Sequence, residues 1–231
     1  MVEAEELLER IKESVRFILV GTSHPGNIGA SARAMKNMGL KKMELVSPKD
    51  FPNETAFFRA KFATDILEEA NIHPDLKSTI SRAKLVIGTS ARIRKVPWPI
   101  VSPKEAAQEI INLCIKGEDN IAIIFGREDR GLTNEELGLC NLHVHIPTTE
   151  EYSSLNLSQA VQIIAYEIRL SALNHSGAFG EQEWDMPLAS TSEIERLIDH
   201  FDEVMQQVDF YQVDNPRNLL TRVRRFFKRS K

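Results

Sequence analysis

The chain has 231 residues, of which 42% are hydrophobic and 27% charged, and a net charge of −4, the ordinary mixture of a soluble globular protein with ample chain for a buried core. The longest apolar run, Ile121–Phe125, is far shorter than a membrane span, and the acidic opening Met1–Glu6 is the opposite of a secretory signal. Two cysteines, Cys114 and Cys140, make neither a disulfide scaffold nor a metal cluster and read as small buried residues of a cytoplasmic protein.

The lead, residues 1–14, has the leucine spacing of a short amphipathic helix (Leu7, Leu8, Ile11). A strand over Arg16–Val20 then runs into Gly21-Thr22-Ser23-His24-Pro25-Gly26-Asn27-Ile28-Gly29. This is a loop in which glycine lets the backbone approach a ligand, followed by a helix expected to open at Ala30. Arg33 stands one turn in, with a planar fork of donors suited to a phosphate. The spacing is neither a Walker loop nor a dinucleotide fingerprint.

Strands follow at Met43–Val46 and Lys84–Gly88. The second leads into Gly88-Thr89-Ser90-Ala91-Arg92-Ile93-Arg94-Lys95 and Pro97-Trp98-Pro99, where small hydroxylated residues suit a polar small molecule and the cluster Arg92, Arg94 and Lys95 suits a phosphate backbone. Ser102-Pro103-Lys104-Glu105 is a capping box with proline at the first helical position. Ile121–Phe125 is apolar throughout, as a central parallel strand covered on both faces should be. It ends in the loop Gly126-Arg127-Glu128-Asp129-Arg130-Gly131-Leu132, and Thr133-Asn134-Glu135-Glu136 repeats the capping box.

A last strand, Leu142–Ile146, carries His143 and His145 on one face. With no carboxylate or cysteine nearby to complete a ligand set, no metal is expected. Glu151-Tyr152-Ser153-Ser154-Leu155-Asn156 then leads into a helix over Leu157–Leu170. Its stripe Leu157, Ala160, Val161, Ile164, Ala165 and Ile168 is joined by a second apolar face, Ile163, Tyr166 and Leu170, the pattern of a helix covered on both sides, by its own chain or by a partner. Strands alternating with helices predict an α/β fold with a mostly parallel sheet over 15–172. A linker over 173–190 and a helical extension over 191–231 should follow, with helices at Ser192–Val208 and Asn218–Phe227.

Charge is not spread evenly along this plan. Residues 217–231 hold Arg217, Arg222, Arg224, Arg225, Lys228, Arg229 and Lys231 and no acid, a local +7, so the rest of the chain sums to −4 − 7 = −11. A basic tail after an acidic stretch needs an explanation that the average conceals: a polyanion could track along it, or, with phenylalanines beside its arginines, it could lie on a membrane surface.

Together, Asn27-Ile28-Gly29-Ala30-Ser31-Ala32-Arg33-Ala34, Phe125-Gly126-Arg127-Glu128-Asp129-Arg130-Gly131-Leu132 and Ser153-Ser154-Leu155-Asn156-Leu157-Ser158 resemble the three motifs of the SPOUT-class RNA 2′-O-methyltransferases. Thr22-Ser23-His24, Gly88-Thr89-Ser90-Ala91-Arg92, Pro97-Trp98-Pro99, Glu151-Tyr152-Ser153-Ser154-Leu155-Asn156 and the ending Arg222-Val223-Arg224-Arg225-Phe226-Phe227 are similar to the TrmJ group of that class, which methylates tRNA at cytidine or uridine 32. The match runs from about Val15 to Lys231, with the lead outside it.

The resemblance implies a sheet whose C-terminal part threads a trefoil knot, where connection rules alone predict an unknotted sheet. It also implies a homodimer whose interface abuts the site, tRNA as substrate, and S-adenosylmethionine as cofactor held by Thr89, Ser90, Ala91, Gly126, Ile146, Ser154, Leu155 and Asn156. Arg33 takes the catalytic position, with Asn27, Glu128 and Ser153 holding it and the ribose. Arg92, Arg94, Lys95, Arg222, Arg224 and Arg225 would contact RNA. A guanidinium, with a pKa above about 12, is a poor base at neutral pH. Arg33 is therefore expected to orient the hydroxyl and its neighbouring phosphate while the proton leaves to phosphate or water. The alternatives are another tRNA or ribosomal RNA target within the same class, or a knotted RNA-binding protein without methyl transfer.

Overall fold

The computed structural model describes residues 4–90, 99–175 and 191–210, together with 219, 220 and 223. The chain divides into two units, Met1–Gly180 and Glu181–Lys231. In the second, the described part is chiefly the helix α9, Thr191–Gln207. The expected helix over Asn218–Phe227 lies mostly outside the described residues.

The first unit is built on seven parallel strands: β1 Val15–Val20, β2 Lys42–Val46, β3 Asn71–His73, β4 Leu85–Thr89, β5 Ile100–Val101, β6 Ile121–Phe125 and β7 Leu142–Val144. Their order across the sheet is β3-β2-β1-β6-β4-β7-β5. Strands β1, β2, β4, β6 and β7 lie where the hydrophobic runs put them, β7 stopping at Val144, two residues before the expected Ile146. The two edge strands, β3 and β5, are three and two residues long, too short for an alternating pattern to register.

The central strands are covered on both faces. On β1 the alternation sends Phe17 and Leu19 to one apolar core and Ile18 and Val20 to the other. Phe17 stacks on Phe125 of β6, ring centroids 5.5 Å apart. The larger core is roofed by α1 Ala4–Ser14, α2 Pro25–Asn37, α3 Glu54–Ala60, α4 Thr64–Glu68, α6 Pro103–Ile115 and α8 Leu157–His175. The short helices α5 Leu76–Thr79 and α7 Asn134–Leu137 cover the other face.

Three expectations are changed or extended. Helix α2 begins at Pro25, not Ala30, because His24 acts as its N-cap, Nδ1 accepting from the Gly26 N–H, and Pro25 supplies the preset first position. The lead forms the expected amphipathic helix, α1, and to that reading the structure adds that Leu7 and Ile11 are buried in the main core. Helix α8 continues to His175, three residues into the span read as linker, whose remainder lies outside the described residues.

Candidate active site

Because every strand of the sheet is parallel, all the loops that leave the C-terminal ends of the strands emerge on one edge. The order β1-β6-β4-β7 makes four of them neighbours, the position at which open α/β sheets bind ligands. A pocket of about 180 Å³ opens there. Of the residues singled out from sequence, it brings together Thr89, Ser90, Gly126, Glu128, Ile146, Ser153, Ser154 and Leu155.

Glu128 ties the loops. One carboxylate oxygen accepts from the Ser23 N–H and hydroxyl, both at 3.0 Å. The other accepts from the His24 N–H at 3.2 Å and the Asn27 side-chain amide at 3.0 Å. Burial alone would raise this carboxyl, but those donors outweigh it and hold its pKa at about 2. The Asn27 Oδ1 in turn accepts from the Asn156 side-chain amide at 3.0 Å. Asn156 is also the N-cap of α8. Its Oδ1 accepts from the Ser158 N–H, and Gln159 reaches back to the Asn156 N–H. A single line of hydrogen bonds thus joins the loops after β1, β6 and β7.

The loop after β6 is braced a second time. The Arg127 guanidinium pairs with both oxygens of Glu136 at 2.9 Å, and Glu136 closes the α7 capping box with Thr133. Arg127 and Gly131 exchange main-chain hydrogen bonds across the tip. The chain folds back so closely that a Cβ on Gly126 would stand 2.1 Å from the Gly131 carbonyl carbon, so only glycine fits there. Both capping boxes are legible in the sequence, whereas the Arg127–Glu136 pair and the part played by Ser23 emerge only from the structure. A Glu at the third position of a capping box with an Arg one loop away was the available signal.

The remaining residues sort clearly. The Thr89 hydroxyl donates to the Ile124 carbonyl at 3.0 Å, so its side chain braces β4 against β6. His143 bonds the Leu137 carbonyl and His145 the Ser90 carbonyl, roles in packing the strand end. Cys114 and Cys140 are buried, and loss of solvent raises their thiols to about 11 and about 12. Arg33 is exposed and does not line the pocket. It stands six residues beyond Asn27 on α2, about 9 Å along the helix axis. Ala91, Arg92, Arg94, Lys95, Arg222, Arg224 and Arg225 lie outside the described residues.

The lining suits an adenosine. Leu132, Ile146, Leu155 and Leu157 line it with apolar surface for a flat base, and Gly126, Ser153 and Ser154 add residues of the polar kind that bonds ring nitrogens and ribose. A larger groove of about 580 Å³ lies away from the strand ends, beside α1 and the end of α2. Its charged walls are already neutralised by pairs such as Lys36–Asp65 and Lys41–Glu13, and it holds none of the motif residues.

Comparison with known proteins agrees with this geometry. Residues 14–166 match the SpoU rRNA methylase family, and residues 192–231 match the C-terminal domain of the tRNA methyltransferase TrmJ. The tRNA (cytidine/uridine/adenosine-2′-O-)-methyltransferase TrmJ of Pseudomonas aeruginosa is 42% identical over 225 residues, 94% of this chain and 87% of that protein. Among solved structures, a probable methylase family protein from Haemophilus influenzae superposes with a TM-score of 0.66 at 35% identity, covering 99% of this chain and 89% of the other. TrmJ from Z. mobilis ZM4 superposes with the same TM-score at 30% identity, covering 92% of this chain and 89% of the other. The chain belongs to the SpoU methylase family and, within it, to the TrmJ methyltransferases.

Proposed function

We propose that this chain uses S-adenosylmethionine to methylate the ribose 2′-oxygen of cytidine or uridine 32 in the tRNA anticodon loop. The observation that carries the reading is the Glu128–Asn27–Asn156 line, which fastens three motif segments beside one pocket at the strand ends. The Pseudomonas relative, a tRNA 2′-O-methyltransferase by name, supports the substrate and the reaction. The choice of nucleotide 32 rests on the motif resemblance. Residues 15–172 form the catalytic unit, with the knotted threading of the class, and residues 191–231 form an RNA-binding extension.

Thr89, Ser90, Ala91, Gly126, Ile146, Ser154, Leu155 and Asn156 hold the cofactor, largely through main-chain groups. When bound, S-adenosylmethionine supplies a methyl group already activated by its sulfonium charge, so the transfer calls for no metal. What the chain must add is position. Arg33 orients the 2′-hydroxyl and the adjacent phosphate, and the hydroxyl proton leaves to phosphate or water. Glu128, Asn27 and Ser153 keep the loop and the ribose side of the pocket in place.

Arg33 is outside its own pocket, and the second apolar face of α8 is not covered by the described residues, with Tyr166 49% exposed and Ile163 and Leu170 half-buried. Both features support a homodimer in which a second copy covers that face and brings a pocket to Arg33. The cytoplasm, where tRNA is found, is the matching location. The test is a methylation assay on bulk tRNA with the modified nucleotide mapped. A ribose methyl at nucleotide 32 is expected; a methyl only elsewhere overturns the target, and none on any tRNA overturns the activity.

A further inference from the structure

One exposed cluster in the first unit has no part in the pocket. Phe58 and Phe62 are 68% and 95% exposed, four residues apart where α3 ends in a tight 3-10 turn over Lys61–Ala63. Phe57 turns inward and stacks on Phe51, ring centroids 6.3 Å apart, so the segment divides its aromatics between a packed pair and an exposed one.

Lys61, at the junction, has φ 56° and ψ −115°, a backbone region that L-residues with side chains rarely occupy. Such conformations persist where the surroundings enforce them and gather at functional positions. Its ammonium lies 4.2 Å from the centroid of the Phe58 ring. Arg59 and Lys61 are both exposed, and neither makes an ion pair among the described residues.

This segment is fixed against the site. A Cβ on Gly29 of α2 would stand 1.9 Å from the Ala56 carbonyl oxygen and 3.0 Å from the Ala60 nitrogen, so α3 is pressed directly onto the helix that carries Asn27 and Arg33. At the start of that helix, the Arg59 Cγ is 3.7 Å from where a Gly26 Cβ would be, one residue from Asn27.

We propose that Phe58–Phe62 is a stacking ledge for unpaired bases of the RNA substrate next to the nucleotide being methylated. Phe62 and the face of Phe58 that Lys61 leaves open lie against base faces, and Arg59 and Lys61 face the flanking phosphates. Exposed rings interleaved with unneutralised cations are how proteins hold single-stranded nucleic acid. A second copy of this chain is the poorer occupant. A twofold contact through the ledge would set Arg59 and Lys61 against their own counterparts.

The inference rests on the RNA-methyltransferase reading, and the experiment separates the two. Affinity for bulk tRNA is measured by filter binding for the wild-type chain, the double variant Phe58→Ala/Phe62→Ala and the conservative Phe62→Trp. S-adenosylmethionine affinity is measured by titration calorimetry and size by sedimentation velocity. The double variant is expected to bind tRNA about ten- to a hundredfold more weakly, with cofactor affinity and size unchanged, while Phe62→Trp retains tRNA affinity. Unchanged tRNA affinity in the double variant, with normal wild-type binding, overturns the ledge alone. A change in sedimentation overturns it in favour of a contact between copies. Failure of the wild-type chain to bind tRNA overturns both readings.

Discussion

Glu128 shows how much one side chain can organise. It receives four hydrogen bonds, three from Ser23 and His24 in the loop after β1 and one from Asn27 in the first turn of α2, and an acceptor-only carboxylate suits them because all four groups facing it are donors. In Glu128→Gln one oxygen becomes an NH₂ that points at donors, so we expect a stability loss of about 1–3 kcal/mol at pH 7. The sign with pH follows from the depressed pKa. The wild-type contribution is complete above the ordinary 4.5 and is lost as pH falls toward about 2. Urea midpoints of the two proteins should therefore differ at pH 7 and converge near pH 2. A gap of constant size down to pH 2 would contradict the assignment. Arg33 makes the opposite case. It is exposed, so Arg33→Ala should leave melting and cofactor binding intact while slowing methylation by about a hundredfold or more. Near-normal turnover in single-turnover assays would refute its role.

At the scale of elements, the sequence was legible where a physical signal is local and illegible where it depends on what arrives from elsewhere. The apolar run Ile121–Phe125 and the boxes at Ser102 and Thr133 each reveal an element within a few residues. The start of α2 was misplaced because its cap is a histidine, which lacks the short oxygen-bearing side chain that marks most N-caps. Burial of α1 could not be read, since an amphipathic lead has the same pattern whether or not a groove awaits it. In the site, the motifs located the loops, but no spacing rule links Glu128 to Ser23 or Asn27 to Asn156, which are 105 and 129 residues apart. The α2–α3 crossing gives this point a measurable form. On helix propensity, Gly29→Ala should stabilise α2 by up to about 1 kcal/mol. With the Ala56 carbonyl 1.9 Å from the new carbon, the helices must part, and the net change is expected to be a loss of about 1–3 kcal/mol. Thermal melting decides between the signs, with a fall of roughly 2–10 °C expected. A rise would show that α3 yields easily.

For the whole molecule, a net charge of −4 describes solubility, while its distribution along the chain describes the partner. Removing everything after Asn215 takes away seven basic residues and no acid, leaving −4 − 7 = −11. If the tail holds phosphates of tRNA, each phosphate it no longer neutralises should reduce the slope of log affinity against log salt by about 0.7–0.9, the share of counterion release that one phosphate contributes. The truncated chain should thus lose more affinity at low salt than at high salt, and its remaining slope should report the cations outside the tail. Cofactor binding is a separate readout, because every residue assigned to the cofactor precedes Leu157. S-adenosylmethionine titration should therefore give the same affinity with and without the tail. An unchanged salt slope would move the electrostatic contact to the catalytic unit, and a weakened cofactor affinity would mean that the tail supports the pocket instead of the RNA.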